Sequence, residues 1–141
     1  MKIFVDACFY ISLLRKDDTN HSKAIDFLNN LNKAQVSLYT SYFIIDETAT
    51  VLSMRVTKQE ADLFLETTQQ EDFPIILDFD HIARAKSYKL FSSVQNKNIS
   101  MVDCHSAILM KNNAIKHCLT FDKHFKKLGF KTYNDILKEL T

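Results

Sequence analysis

The chain has 141 residues, 46% hydrophobic and 25% charged, which fits one globular domain over residues 1–141 and excludes fibrous and disordered classes. A single Gly and a single Pro leave no room for a flexible linker or a glycine-rich phosphate loop. The net charge of +1 hides an asymmetry: residues 1–80 carry 7 Lys/Arg against 13 Asp/Glu, net −6, and residues 81–141 carry 11 against 4, net +7, as suits a cation-holding site beside a surface that attracts a polyanion.

In chain order, Lys2-Ile3-Phe4-Val5-Asp6 reads as a short apolar strand that stops on an acid. Residues 7–14 are predicted helical through Phe9, Ile11, Leu13 and Leu14, and residues 21–31 form an amphipathic helix through Ala24, Ile25, Phe27, Leu28 and Leu31. Residues 36–40 alternate as a strand. Ser41 is placed to cap a helix reaching about Met54, whose apolar stripe runs through Phe43, Ile44, Val51 and Met54 and takes in Glu47. Thr57-Lys58-Gln59-Glu60 is a capping box opening the next helix, and residues 73–77 form a strand with Pro74 at its start or on a sheet edge. Asp80 is expected to cap a helix carrying Ile82, Ala83, Ala85, Leu90 and Phe91. Ser100 opens another, with Asp103 three residues in, and Asn112-Asn113 is expected to supply its left-handed carboxyl end. Residues 118–122 are a strand that again stops on an acid, Asp122, before a basic turn. A last strand at 130–133 and a last helix at 135–140 complete the order. Strands separated by helices imply a three-layer α/β/α domain with a parallel sheet of about five strands.

Two strands far apart in sequence end on acids, and ligands of open α/β sheets sit at the carboxyl ends of strands. Asp6 and Asp122 are therefore expected at one site. Glu47 interrupts an apolar stripe, where a carboxylate needs a cation or hydrogen bonds, and Asp103 is the fourth candidate. Each has a simpler role available: strand terminator for Asp6, exposed helix residue for Glu47, capping partner of Ser100 for Asp103, and helix cap for Asp122. Asp46 lies about 100° around the helix from Glu47 and is the weaker candidate. Clustered carboxylates require a positive partner. Oxygen-only ligands favour Mg²⁺ or Mn²⁺ over zinc, and such ions beside phosphate support phosphodiester hydrolysis.

Four segments carry a more specific likeness: Phe4-Val5-Asp6-Ala7; Ile45-Asp46-Glu47-Thr48 with Val51-Leu52; Ser100-Met101-Val102-Asp103-Cys104; and Leu119-Thr120-Phe121-Asp122-Lys123-His124-Phe125 leading to Gly129-Phe130. In this order they resemble PIN-domain ribonucleases, in particular the toxins of type II toxin–antitoxin pairs. The resemblance implies Mg²⁺- or Mn²⁺-dependent endonucleolytic cleavage of RNA. It implies that Asp6, Asp103 and Asp122 hold metal, that Glu47 is a ligand or orients the attacking water, and that Thr120 supports the last acid. It also implies an antitoxin partner and a possible homodimer. Ala7 stands where many relatives carry a hydroxyl, and Asn113 where many carry glycine. Lys123, Lys126 and Lys127 are weaker candidates for contact with RNA phosphates.

Other chemistries fit less well. Cys8, Cys104 and Cys118 form no paired framework or Cys-x-x-Cys spacing, so reduced thiols are expected rather than disulfides or zinc ligands. Asp78-Phe79-Asp80 resembles a phosphatase acid pair but comes late and precedes His81-Ile82. Asp6 interrupts the first apolar run and no cleavage site follows, so no secretion signal is expected. No run approaches the roughly 20 apolar residues of a membrane span; a cytoplasmic protein is expected. Two alternatives stay open: a catalytically silent PIN-like module that binds RNA or protein, and an RNA-processing nuclease without an antitoxin.

Overall fold

The computed structural model describes all 141 residues, Met1–Thr141. Four strands, β1 (Lys2–Val5), β2 (Ser37–Thr40), β3 (Ile75–Ile76) and β4 (His117–Leu119), form one sheet in the order β3-β2-β1-β4. Every pairing is parallel, with Ile3 opposite Leu38, Phe4 opposite Cys118 and Tyr39 opposite Ile75. Ile3, Phe4 and Val5 are all buried, as expected of a central strand covered on both faces. Pro74 directly precedes the edge strand β3, where a missing N–H is tolerated.

Eight helices connect and cover the strands: α1 (Ala7–Leu14), α2 (His21–Asn30), α3 (Tyr42–Arg55), α4 (Lys58–Thr67), α5 (His81–Ser93), α6 (Met101–Asn112), α7 (His124–Lys127) and α8 (Tyr133–Leu140). α1 lies against α2 and α3, α3 against α4, and α5 against α6. The expected caps form. Ser41 Oγ accepts from the Ile44 N–H at 3.3 Å, Thr57 Oγ1 from Glu60 at 3.0 Å, and Asp80 Oδ1 from Ala83 at 2.8 Å. Caps of this kind are each worth about 1 kcal/mol. The core joins both ends of the chain, with Phe4, Phe9, Leu52, Leu119, Phe125 and Ile136 among its fully buried side chains. No helix is long and apolar enough to cross a membrane.

Three expectations change. The fifth strand at 130–133 does not form; Lys131 makes an isolated parallel bridge to His117. Its N–H reaches the Lys116 carbonyl at 2.9 Å and its carbonyl accepts from Cys118 at 2.8 Å. Pairing stops there because Thr132 enters a capping box with Asp135 and starts α8. The buried face of α3 runs through Ile44, Ile45, Thr48 and Leu52, and Met54 is 77% exposed. α3 is apolar on several sides because it meets both α1 and α4, so its apolar residues do not mark a single face.

The third change is at the end of α6. Asn113 stays at φ −108°, and Ala114 takes the left-handed conformation at φ 55°. The Ile115 N–H reaches the Met110 carbonyl at 2.9 Å and the Ala114 N–H reaches Lys111 at 3.3 Å, the bonding pattern of a Schellman turn, sealed by buried Met110 and Ile115. A Cβ in this conformation carries strain of roughly 1–2 kcal/mol. Ala114→Gly is therefore expected to stabilise the protein by about 1 kcal/mol in urea unfolding, and a loss of stability would show that Ala114 is not strained.

Candidate active site at the carboxyl edge of the sheet

β1 and β4 are neighbours, so the residues that follow them emerge side by side. Asp6 comes directly after β1 and its N–H donates to the Leu119 carbonyl at 3.2 Å. Thr120 comes directly after β4 and is fully buried. Its hydroxyl donates to Asp6 Oδ2 at 2.9 Å and accepts from the Asp122 N–H at 3.0 Å. One side chain thus orients the Asp6 carboxylate and holds the backbone of Asp122, which lies in the turn three residues beyond β4 rather than at the strand end expected from the sequence.

Asp103 arrives from the first turn of α6. Its Oδ2 accepts from the Ser100 N–H at 2.9 Å while Ser100 Oγ accepts from the Asp103 N–H at 3.0 Å. The capping role available to Asp103 is therefore filled, by one carboxylate oxygen. Asp122 also has its local role: Oδ1 accepts from the His124 N–H at 2.9 Å. The His124 ring stands between these two acids, with Nδ1 3.1 Å from Asp122 Oδ1 and 3.8 Å from Asp103 Oδ2.

Glu47 differs from its expected setting. It is exposed, because the buried face of α3 passes it by. It still belongs to the same electrostatic group. Although much of its side chain reaches solvent, its carboxyl is partly desolvated, and that desolvation and then the Asp103 charge raise its pKa. Asp103 is raised chiefly by burial and further by Asp122, with its Ser100 bonds and His124 opposing. Asp6, 6% exposed, is pushed up to about 7, first by burial and then by Asp103 and Glu47, while the Thr120 bond pulls the other way. Asp46 is exposed and appears in none of these couplings.

The four acids are thus near enough to repel one another, but no three His, Cys, Asp or Glu side chains are gathered closely enough to hold a metal ion. The donor chemistry nonetheless fits a hard divalent cation: the acids supply only oxygen. Cys104 and Cys118 are buried free thiols.

Lys123, Lys126 and Lys127 are exposed. The first two, with Lys23 of α2, line a polar basin of about 270 Å³ that reaches Thr120 and Asp122. Lys127 is not part of it. Lys126 also stands 3.7 Å from Asp135. The structure adds Lys23 and His124 to the groups around these acids. His124 has a visible signal, two residues after a strand-terminal acid; Lys23 has none, since α2 is distant in sequence.

Two outcomes test this network. Between pH 3.8, the ordinary carboxylate value, and about 7, folded Asp6 holds a proton that the unfolded chain releases. Stability should therefore fall as pH rises through that window. In EDTA, Tm is expected to be lower at pH 8 than at pH 5, and Asp6→Asn should flatten that dependence; an unchanged slope would remove Asp6 as its source. Thr120→Val keeps the shape but strands Asp6 Oδ2 and the Asp122 N–H. It is expected to cost about 1–3 kcal/mol in denaturant unfolding and to raise the Asp6 pKa further, read by NMR titration.

A family model described as PIN domain matches residues 3–131. Among solved structures, VapC20 of Mycobacterium tuberculosis, a sarcin-ricin loop cleaving toxin, superposes with a TM-score of 0.82 at 21% identity, covering 91% of this chain and 95% of that one. FitAcB from Neisseria gonorrhoeae gives 0.67 at 19% identity, over 95% and 98%. VapBC2 from Rickettsia felis, bound to a DNA fragment from their promoter, gives 0.62 at 12% identity, over 94% and 98%. No curated protein matches the chain. At these identities the structures share a fold with the chain, while the family model spans most of its length, and the chain belongs to the PIN-domain family.

Proposed function

We propose that residues 1–141 form a single metal-dependent endoribonuclease domain that hydrolyses RNA phosphodiester bonds, the toxin of a toxin–antitoxin pair. The observation that carries this reading is the buried Asp6 carboxyl, hydrogen-bonded by the Thr120 hydroxyl and repelled by the charges of Asp103 and Glu47. A protein gains nothing in stability from such a group unless something positive offsets it. In this reading Asp6, Asp103 and Asp122 hold Mg²⁺ or Mn²⁺, which supplies Lewis-acid activation of water and neutralisation of phosphate charge. Thr120 orients Asp6 and fixes the Asp122 backbone. Glu47, exposed and with a raised pKa, serves as a ligand or orients the attacking water and accepts its proton.

The RNA strand approaches over the basin lined by Lys23, Lys123 and Lys126, whose ammonium groups suit phosphates; Lys127 contributes more remotely. The toxin assignment draws support from the sequence resemblance and from the fold shared with VapC20, itself a toxin. An antitoxin would need a surface of its own. An apolar groove of about 470 Å³, lined by Phe9, Tyr10, Leu13, Leu28, Leu31 and Phe64, suits an apolar protein segment. A cytoplasmic location and a homodimer complete the reading.

One fact favours a second reading, a silent binding module: Asp103 already serves the α6 cap. Cleavage of total RNA with Mn²⁺, with EDTA, and by an Asp103→Asn protein decides between them. Asn retains an oxygen for the cap, so folding should survive. The nuclease reading expects cleavage with Mn²⁺, none with EDTA, and about a 100-fold or greater loss in the variant. It also expects Mn²⁺ to raise Tm, since a ligand bound only by the folded state stabilises it. Absence of both cleavage and stabilisation would hand the case to the binding module.

A further inference from the structure

The carboxyl edge of the sheet continues past the acids, from β1 across β2 to β3. Phe43, on the first turn of α3, follows β2, and Phe79 follows β3. Their rings meet edge to face at 4.8 Å. His105, two residues beyond Asp103 on α6, completes the cluster, with its ring 4.4 Å from Phe43 and 4.7 Å from Phe79. His105 is 4% exposed, and its Nδ1 has no hydrogen-bond partner. Above these rings lies Arg84 of α5, its guanidinium 5.2 Å from the Phe79 centroid and 5.8 Å from Phe43. Arg84 is exposed and has no carboxylate within salt-bridge distance. A recess of about 290 Å³ opens here between Tyr42, Phe43, Phe79, Arg84 and Asp78, and Tyr42 is 66% exposed.

These groups do not suit one another as a closed core. Phe43 and Phe79 are only partly buried, the exposed Arg84 guanidinium has no carboxylate partner and donates only to the Tyr88 hydroxyl at 3.4 Å, and the exposed Tyr42 ring stands at the rim. Unpaired RNA bases are bound by this combination, through stacking on aromatic rings and on arginine planes. Asp78 on the rim repels a phosphate, whereas a carboxylate accepts from base amino groups. The recess therefore suits a base rather than the backbone.

Position agrees with that chemistry. Phe43 and Glu47 are one turn apart on α3 and so lie on the same side of that helix. The lysine basin lies at the β4 end of the same edge and the aromatic recess at the β3 end, three inter-strand steps or roughly 14 Å apart. We infer that the recess formed by Tyr42, Phe43, Phe79 and Arg84 is a stacking subsite for one unpaired base of the RNA strand whose phosphates cross the acids. The inference rests on the ribonuclease reading and adds to it a residue set that chooses where the strand is cut.

The chain contains no tryptophan, so Tyr42→Trp places a single reporter at the recess. The probe is a short fluorescein-labelled single-stranded oligoribonucleotide in EDTA, compared with an abasic ribose-phosphate strand of equal length. The inserted Trp should be quenched by the first strand and not by the second. Phe79→Leu, which keeps an apolar group but removes the ring, and Arg84→Gln should each weaken binding of the base-bearing strand by about 5- to 30-fold. Neither should change affinity for the abasic strand or the Mn²⁺-induced rise in Tm.

Unchanged affinity in both variants with no Trp quenching overturns the subsite; RNA cleavage by the unmodified protein in Mn²⁺ would then leave the ribonuclease reading standing. Absence of both binding and cleavage overturns the two together. Trp emission that follows protein concentration rather than RNA, with a loss of dimer mass in the Phe79→Leu protein, would assign the recess to a second copy of the chain and also overturn the subsite.

Discussion

The hydroxyl of Thr120 holds the two ends of this chain together at the point where its chemistry is concentrated. It donates to Asp6 across 114 positions of sequence and accepts from the backbone of Asp122. The first bond exists only because β1 and β4 lie side by side in register, and that register puts Phe4 against Cys118 and Val5 against Leu119 in the core. Burial of the strand residues and placement of the acids are therefore one event. A slip of one residue would break the match of Val5 with Leu119 and would also separate Asp6 from Thr120. The apolar strands set the position of the acids, and the acids oppose the burial that sets it.

That opposition explains the electrostatics. Burial is the largest influence on Asp6, Glu47 and Asp103, and their mutual repulsion comes after it. At this site lost hydration therefore outweighs the negative field of the neighbouring acids. The hydrogen bonds from Ser100 and Thr120 recover part of the loss and fix the carboxylates in place. They do not bring three donors into one coordination sphere.

Much of this was legible in the sequence because the acids sit at punctuation points. Asp6 and Asp122 end short apolar runs, and Asp103 stands at a fixed offset from Ser100; each pattern is local and survives folding unchanged. Glu47 was found for an imperfect reason. The stripe drawn through Phe43, Val51 and Met54 is not the buried face, since a helix touched on several sides carries apolar residues all round. The missing fifth strand has a similar cause. Residues 130–133 have strand composition, but the capping box at Thr132 claims the backbone first. Ala114 was invisible because its left-handed turn is imposed by the buried pair Met110 and Ile115, not by its own preference. Lys23 and the cluster of Phe43, Phe79, Arg84 and His105 come from separate elements. Only the strand order brings them to one edge.

The charge asymmetry can now be placed on that edge. Three of the candidate acids and their lysine neighbours gather where β1 and β4 end, and β4 leads into the basic segment 123–131. At the β3 end of the edge the cation over the aromatic rings is Arg84. A polyanion held by its phosphates at one end and by a base at the other is oriented as well as attracted. Lysines alone cannot orient it, because a flexible ammonium attracts phosphate without specifying direction. Orientation needs a flat, rigid partner, and the planar groups of Phe43, Phe79 and Arg84 supply one at the β3 end of this edge.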